Sequence, residues 1–433
     1  MEIYSKELKR CAGNVASYTN NYFRISFKME VIASIKKMLL NNPLNKSDYK
    51  LLSIFIHEYL HFIHNISTIS GFYEFYIYLM KYRIFRETVD VNGMCQSSKI
   101  LSNKKKNLLK AYHNILNKLY GCTEGININC EDFKLIHNNI NLDGTDVKIS
   151  NYLVNGTIYI GMTSILEGLA YEMMSKINPD VIINATFFPE QPYRIIKTIT
   201  SKILDYELSQ DFFIKILIIS LQTNNPVETL NLILKDIKRR PFVLDSDYLV
   251  NSILTNLNIE DFRKVCIQDI QSQIDAFNES DLKNILKLIF SKMVLAWKER
   301  MINPFMELDW FYGKNLCIEK IKNMIEMYNI CSFIEDGTLF GFFKYDARVN
   351  LFNAIFNFMN RHLLSDGLFK ATENLQRGAC IFYNHCKKNP EQLKCFNEEY
   401  CSQTPFYQYR DTKTQGEGCW YAAGICACVG KLK

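Results

Sequence analysis

Leu51-Leu52-Ser53-Ile54-Phe55-Ile56-His57-Glu58-Tyr59-Leu60-His61-Phe62-Ile63-His64 decides how this chain is read. It holds an H-E-x-x-H pattern inside an apolar run. Residues four apart on a helix sit one above the other on the same face, so His57 and His61 can reach one metal ion. Glu58 lies beside them, placed to hold a water rather than the ion. The flanks predict the helix: Ser47 and Asp48 are N-cap residues, and no Pro or Gly falls between Asp48 and Ser70. His57, Glu58, His61, His64 and Asn65 make one polar stripe on a helix otherwise almost wholly apolar from Leu51 to Ile66. Such a stripe needs partners, because unpaired buried polar groups are costly. A metal ion is one partner; hydrogen bonds within an ordinary core helix are the alternative. Histidine is scarce, seven in 433 residues, and three of the seven within eight positions set this helix apart.

Zinc lowers the pKa of a bound water to about 7, and a neighbouring carboxylate can take its proton as it attacks a carbonyl. The pattern therefore predicts a zinc peptidase with Glu58 as general base and then acid. The third ligand must come from elsewhere. A metzincin would need Gly at position 64 and His at position 67; this chain has His64 and Ser67. A glutamate on a second helix is the other common solution, and Ser164-Ile165-Leu166-Glu167-Gly168-Leu169-Ala170-Tyr171-Glu172 fits it. Here the chain resembles the gluzincins, zinc peptidases with H-E-x-x-H and a downstream glutamate, and within that type an uncharacterised bacterial branch. The resemblance covers roughly residues 20 to 200 and implies that Glu167 is the third ligand. The family's Asp four residues on, which orients a ligand histidine, is Tyr171 here, with Glu172 one further; Glu172 and His64 are then the candidates for supporting roles. The resemblance also implies a donor for the oxyanion beyond the glutamate helix, with Tyr193 as the assignment and Tyr171 as its competitor. Other readings stay open. Ser164-x-x-Glu167 is a capping box, and Glu74 and His64 are rival ligands.

The surroundings suit the resemblance. Phe23-Arg24-Ile25-Ser26-Phe27-Lys28-Met29-Glu30-Val31 alternates as a half-buried strand does, and peptidases of this type carry a sheet whose edge receives substrate as an added strand. Val147 to Leu153 and Thr157 to Ile160 flank Asn155-Gly156, a type I′ hairpin signal. Helices are expected over Ile32 to Leu40, Tyr73 to Phe85 with Gly71 at the joint, and Leu101 to Leu119. Asn127 to Gly144, rich in Asn and Asp, reads as loop. Residues 194 to 370 read as successive packing helices without a catalytic cluster.

The expected fold is α+β and predominantly helical: a zincin-like metallopeptidase domain over residues 1–200, a helical domain over 201–370 and a Cys-rich segment over 371–433. Seven of the 14 cysteines follow residue 379. Clustered cysteines in an intracellular chain suggest metal, so Cys380, Cys386, Cys395, Cys401, Cys426 and Cys428 are candidates for a second, structural zinc, with His385 able to complete it. Buried thiols and disulfides are the alternatives. This segment is expected to stabilise the fold apart from the catalytic ion.

A formal charge of +6 is small for this length, and Lys104-Lys105-Lys106 and Lys238-Arg239-Arg240 read as solvated faces, so no nucleic-acid partner is expected. The apolar stretch Ile214 to Leu221 is too short to span a bilayer, and Met1-Glu2-Ile3-Tyr4-Ser5-Lys6 lacks the pattern of a signal peptide. A cytoplasmic protein with a protein or peptide substrate, and room for a regulatory protein partner, is the expectation. A toxin or defence effector is a role compatible with that chemistry. The alternative from another class is a non-catalytic interaction protein on a peptidase-like scaffold.

Overall fold

The computed structural model describes residues 16–20, 23–27, 32–40, 46–179, 188–240, 259–278, 280–312, 315–335, 338–340, 345–388, 396–407 and 419–429. At its centre is α2 (Lys46–Ser67), preceded by β1 (Ala16–Thr19), β2 (Arg24–Phe27) and α1 (Ile32–Leu40). Leu52, Phe55, Ile56, Leu60, Phe62 and Ile63 of α2 are fully buried. Each such side chain contributes roughly 1.5–3 kcal/mol, which offsets the cost of burying the polar stripe on the same helix. Phe55 stacks on Tyr59 at 5.7 Å and on Phe333 at 5.9 Å, tying α2 to a strand far along the chain.

α3 (Ile69–Arg86) follows after a single residue, Thr68, whose side chain caps it by accepting from the Gly71 N–H. The break thus falls at Thr68, and Gly71 lies inside the first turn of α3. It must be glycine: a Cβ there would stand 2.0 Å from the Asn65 carbonyl oxygen. α4 (Asn103–Tyr120) leads to a three-stranded meander, β3 (Phe133–Leu142), β4 (Thr145–Val154) and β5 (Ile158–Ile160). Asn155-Gly156 makes the second turn with φ of 47° and 69°, as a type I′ turn requires. The expected loop over Asn127 to Gly144 is corrected: residues 133–142 form a strand in ten-residue register with β4. Asp143-Gly144, φ 51° and 90°, turns it. The asparagines that suggested a loop bond across the ladder instead, Asn138 Nδ2 donating to Asn151 Oδ1 at 3.0 Å and Asn141 Nδ2 to Asp146 Oδ1 at 3.2 Å.

The hairpin runs straight into α5 (Met162–Ile177). Then come α6 (Ile195–Leu204), α7 (Gln210–Ser220), α8 (Pro226–Arg239), α9 (Ile259–Asp275) and α10 (Ser280–Ile302). The reading of residues 194–370 as helices alone is also corrected. They include the small ladder β6 (Phe311–Tyr312) with β7 (Asn315–Leu316) and, after α11 (Ile318–Tyr328), β8 (Ser332–Glu335) and β9 (Thr338–Phe340). β8 pairs parallel with β2, giving a four-stranded sheet ordered β1-β2-β8-β9. Of the strand expected over Phe23 to Val31, residues 24–27 are β2 and 28–31 lie outside the described residues. α12 (Val349–His362) completes the core, packed against α13 (Trp420–Val429). The fold is α+β and predominantly helical. Side chains from all three expected segments, Ala16 to Cys428, join one hydrophobic core. No helix among the described residues is long and apolar enough to cross a membrane.

Candidate metal centre

α2 and α5 pack against each other, and the contact brings His57, His61 and Glu167 together. All three are buried, and their nearest ligand atoms lie within 4.8 Å of one another; among the described residues they are the one such group. Glu167 Oε2 stands 3.0 Å from His57 Nε2 and 3.5 Å from His61 Nε2. Two tetrahedral zinc ligands at about 2.0–2.1 Å from the ion are separated by roughly 3.3 Å, and the two distances bracket that value. The donor set, two imidazoles and a carboxylate, is that of a hydrolytic zinc site with one position open. His61 Nε2 and His57 Nδ1 are buried without a hydrogen-bond partner, and a metal ion would satisfy the lone pair of His61 Nε2. The residues present fit zinc.

Gly168 shows why Glu167 is followed by glycine. A Cβ there would meet Ile196 Cγ2 at 2.8 Å, so α6 could not lie so close to α5. Ser164 makes no capping box. The N-cap of α5 is Gly161, and Ser164 Oγ donates to Gln191 Oε1 at 2.8 Å. Gln191 is held further by backbone bonds in both directions with Ile126 and by Nε2 donating to the Cys122 carbonyl. That anchorage fixes the helical turn Glu190–Tyr193. Tyr193 is buried, with its ring 6.0 Å from that of His57. Tyr171 packs behind it, 6.2 Å from Tyr193 and 5.3 Å from Phe188. Of the two tyrosines, Tyr193 is the one against the centre.

Within the group the charges balance one another. Burial alone would push the Glu167 carboxyl up; His61 and His57 outweigh it and hold the group well below the usual carboxylate range. Burial would likewise lower His61, but Glu167, helped by Glu58, raises it. Glu58 is fully buried on α2, next in sequence to His57, and acts electrostatically on His61.

The supporting candidates separate. His64 Nε2 is 3.0 Å from Glu307 Oε1, and Glu307 is paired with Arg300, all three buried. Arg300 also donates to Ser67 Oγ at 2.8–2.9 Å and to the Pro304 carbonyl. Glu172 is engaged by Lys197 Nζ at 2.9 Å and by Gln210, on α6 and α7, rather than by either ligand histidine. Glu74 accepts from Asn65 and Asn20 Nδ2 and from the Tyr120 hydroxyl, outside the ligand group. Tyr18 on β1 stacks over His61, centroids 6.4 Å apart and planes at 18°, while its hydroxyl donates to Asn65 Oδ1 at 3.0 Å. Sequence reasoning missed Tyr18, Arg300 and Glu307. Arg300 differs from its neighbours Lys298 and Glu299 in burial, which its own helix does not encode.

Comparison with protein families, characterised proteins and solved structures finds no match. The chemistry of the centre rests on its own atoms. The expected sulfur candidates lie elsewhere: no cysteine joins the ligand group. Cys426 and Cys428 are buried on α13, with Cys428 Sγ 3.4 Å from the Tyr82 hydroxyl. Cys395 lies outside the described residues.

Proposed function

We propose that this chain is a zinc-dependent endopeptidase of gluzincin-like chemistry. The observation that carries the reading is the Glu167 oxygen 3.0 and 3.5 Å from two histidine nitrogens one helical turn apart. His57, His61 and Glu167 would hold the ion. Zinc in such a set supplies Lewis acidity, which makes a water acidic at neutral pH and polarises a carbonyl. Glu58 Oε takes the proton of the attacking water and returns it to the leaving amine. The Tyr193 hydroxyl donates a hydrogen bond to the oxyanion as it forms. Peptide is favoured over a smaller substrate by β1. It is an edge strand among the described residues, and its Tyr18 lies on His61. An extended peptide added to that edge would run past the centre.

The test uses protein purified without added metal, with zinc counted by elemental analysis and hydrolysis followed on a quenched-fluorescence peptide library. His61→Ala should lose one zinc equivalent. Glu58→Gln should keep it and hydrolyse about 10²–10⁴-fold more slowly. Hydrolysis by Glu58→Gln at the wild-type rate, or zinc content unaffected by His61→Ala, would reject the reading.

A further inference from the structure

Glu74 is buried on α3, outside the ligand group, and takes no part in the hydrolytic step. Its hydrogen bonds point to another task. Oε2 accepts from Asn65 Nδ2 at 3.1 Å and from Asn20 Nδ2 at 3.3 Å, and Oε1 accepts from the Tyr120 hydroxyl. Asn20 Nδ2 also donates to the Tyr120 oxygen at 2.8 Å. Gly71 makes the reach possible. Without a Cβ, the first turn of α3 lies against the Asn65 carbonyl, and Glu74 follows within one turn.

The carboxylate orients Asn65. It is acceptor only, so the Asn65 amide nitrogen must face it and the amide oxygen must face away. That oxygen accepts the Tyr18 hydroxyl at 3.0 Å. Tyr18 and Asn20 flank Thr19, the last residue of β1. Glu74 therefore holds the end of β1 twice, directly through Asn20 and through Asn65 and Tyr18.

β1 needs such a hold. It has four residues, and among the described residues it pairs on one side only, with β2. Two-stranded pairs are marginal by themselves. A slip of one residue would turn every side chain of β1 to the other face. Tyr18 would leave the His61 ring that it stacks on, and Tyr18 and Asn20 would leave their present partners. The bonds from Asn65 and Glu74 single out the observed register.

The network borders the metal centre without opening onto it. Asn20, Asn65 and Glu74 share with His61 the wall of a cavity of about 10 Å³, room for one water. That space is too small for a substrate side chain, so Glu74 acts through its neighbours. We propose that Glu74 is a positioning residue for substrate. Through Asn65 and Asn20 it fixes the place and register of β1, and with them the path of an extended peptide past His61. The substrate role rests on the peptidase reading; the anchorage of β1 does not.

Strand addition contributes alike to the bound peptide and to its transition state, so its loss appears in KM more than in kcat. Variants of the full-length chain separate anchorage from bulk. Glu74→Met keeps the volume but accepts no strong hydrogen bond. Glu74→Gln can still accept from both asparagines while its amide turns to the Tyr120 oxygen. Tyr18→Phe keeps the ring and removes the hydroxyl. Each is assayed on a long peptide and on one too short to reach β1, with zinc counted and hydrogen exchange of residues 16–20 followed by mass spectrometry.

Glu74→Met and Tyr18→Phe should speed exchange over residues 16–20 and keep their zinc. They should raise KM for the long peptide about 2–10-fold, the worth of one hydrogen bond, and affect the short one less. Glu74→Gln should restore both readouts towards wild type. If Glu74→Met fails to fold, Tyr18→Phe decides alone. Unchanged exchange in a folded variant overturns the anchorage. Faster exchange with KM unaltered overturns the substrate role, as do equal losses on both peptides or loss of zinc. A wild-type chain that hydrolyses neither peptide would sink the peptidase reading and the substrate role together, while exchange still decides whether Glu74 holds β1.

Discussion

Glu307→Leu tests whether the ion pair behind the centre holds α2 in place. Glu307 is fully buried and Arg300 nearly so. Arg300 Nη1 bonds Glu307 Oε2 at 3.1 Å, and His64 Nε2 lies 3.0 Å from Oε1. Burial would raise the Glu307 carboxyl; Arg300 and His64 hold it far below the usual range, so it is ionised at neutral pH. Its removal leaves the Arg300 guanidinium with Ser67 Oγ and the Pro304 carbonyl, two neutral partners for one buried charge. Breaking a buried pair on one side costs about 3–5 kcal/mol. Removing both charges, as in Arg300→Met/Glu307→Leu, leaves His64 without its carboxylate and Ser67 Oγ and the Pro304 carbonyl without the guanidinium, neutral losses of about 1–3 kcal/mol. The double variant should therefore be more stable than Glu307→Leu by about 2 kcal/mol. The assay is urea unfolding followed by far-ultraviolet circular dichroism on chelator-treated protein, so that bound metal does not mask the difference. A Glu307→Leu cost under about 1 kcal/mol, or a double variant no more stable than that single one, would refute the argument.

Gly71→Ala should destabilise the chain by about 1–3 kcal/mol, because its Cβ overlaps the Asn65 carbonyl and must push α3 off α2; thermal unfolding indistinguishable from wild type would contradict this. Tyr193→Phe should leave zinc content unchanged and lower kcat more than it raises KM, since its hydroxyl acts on charge that develops only in the transition state; unchanged kcat would return the role to another residue. His362 is buried, its Nδ1–H donating to the Phe358 carbonyl at 2.8 Å, and burial lowers its pKa to about 4. A base whose folded pKa lies below its unfolded value of about 6.5 contributes stability that is full above pH 6.5 and falls as pH drops towards 4. The loss approaches roughly 3 kcal/mol. His113, also lowered to about 4 by burial, adds to the same window. His362→Gln should flatten the pH slope of the unfolding free energy between those limits by up to one proton; an unaltered slope would show that His362 does not titrate there.

Local pattern carried much of this molecule. The helix around His57 and His61, the glutamate helix and the Asn155-Gly156 turn all follow from periodicity and turn chemistry within a few residues. β3 was hidden because asparagine disfavours strands in isolation, and its cross-strand bonds exist only once β4 is beside it. The pairing of β2 with β8 was invisible for a deeper reason: no local signal says which of two short strands about 300 residues apart will meet. The same holds for the site. His57, His61 and Glu167 sit in recognisable spacing, whereas Arg300, Glu307 and Tyr18 reach it through tertiary packing.

The parallel ladder between Arg24–Phe27 and Ser332–Glu335 has a consequence for the order of assembly. During synthesis β2 emerges early and waits through some 300 residues for its partner. α2, α5 and the histidine–glutamate cluster can gather from the first 180 residues in the meantime. β1, whose Tyr18 lies on His61, can pair with β2 and pack on α2 within that same early stretch, but the β1–β2 pair joins the four-stranded sheet only when β8 arrives. A nascent chain of this protein could thus gather His57, His61 and Glu167 early, and the last third of translation would complete the sheet beside them.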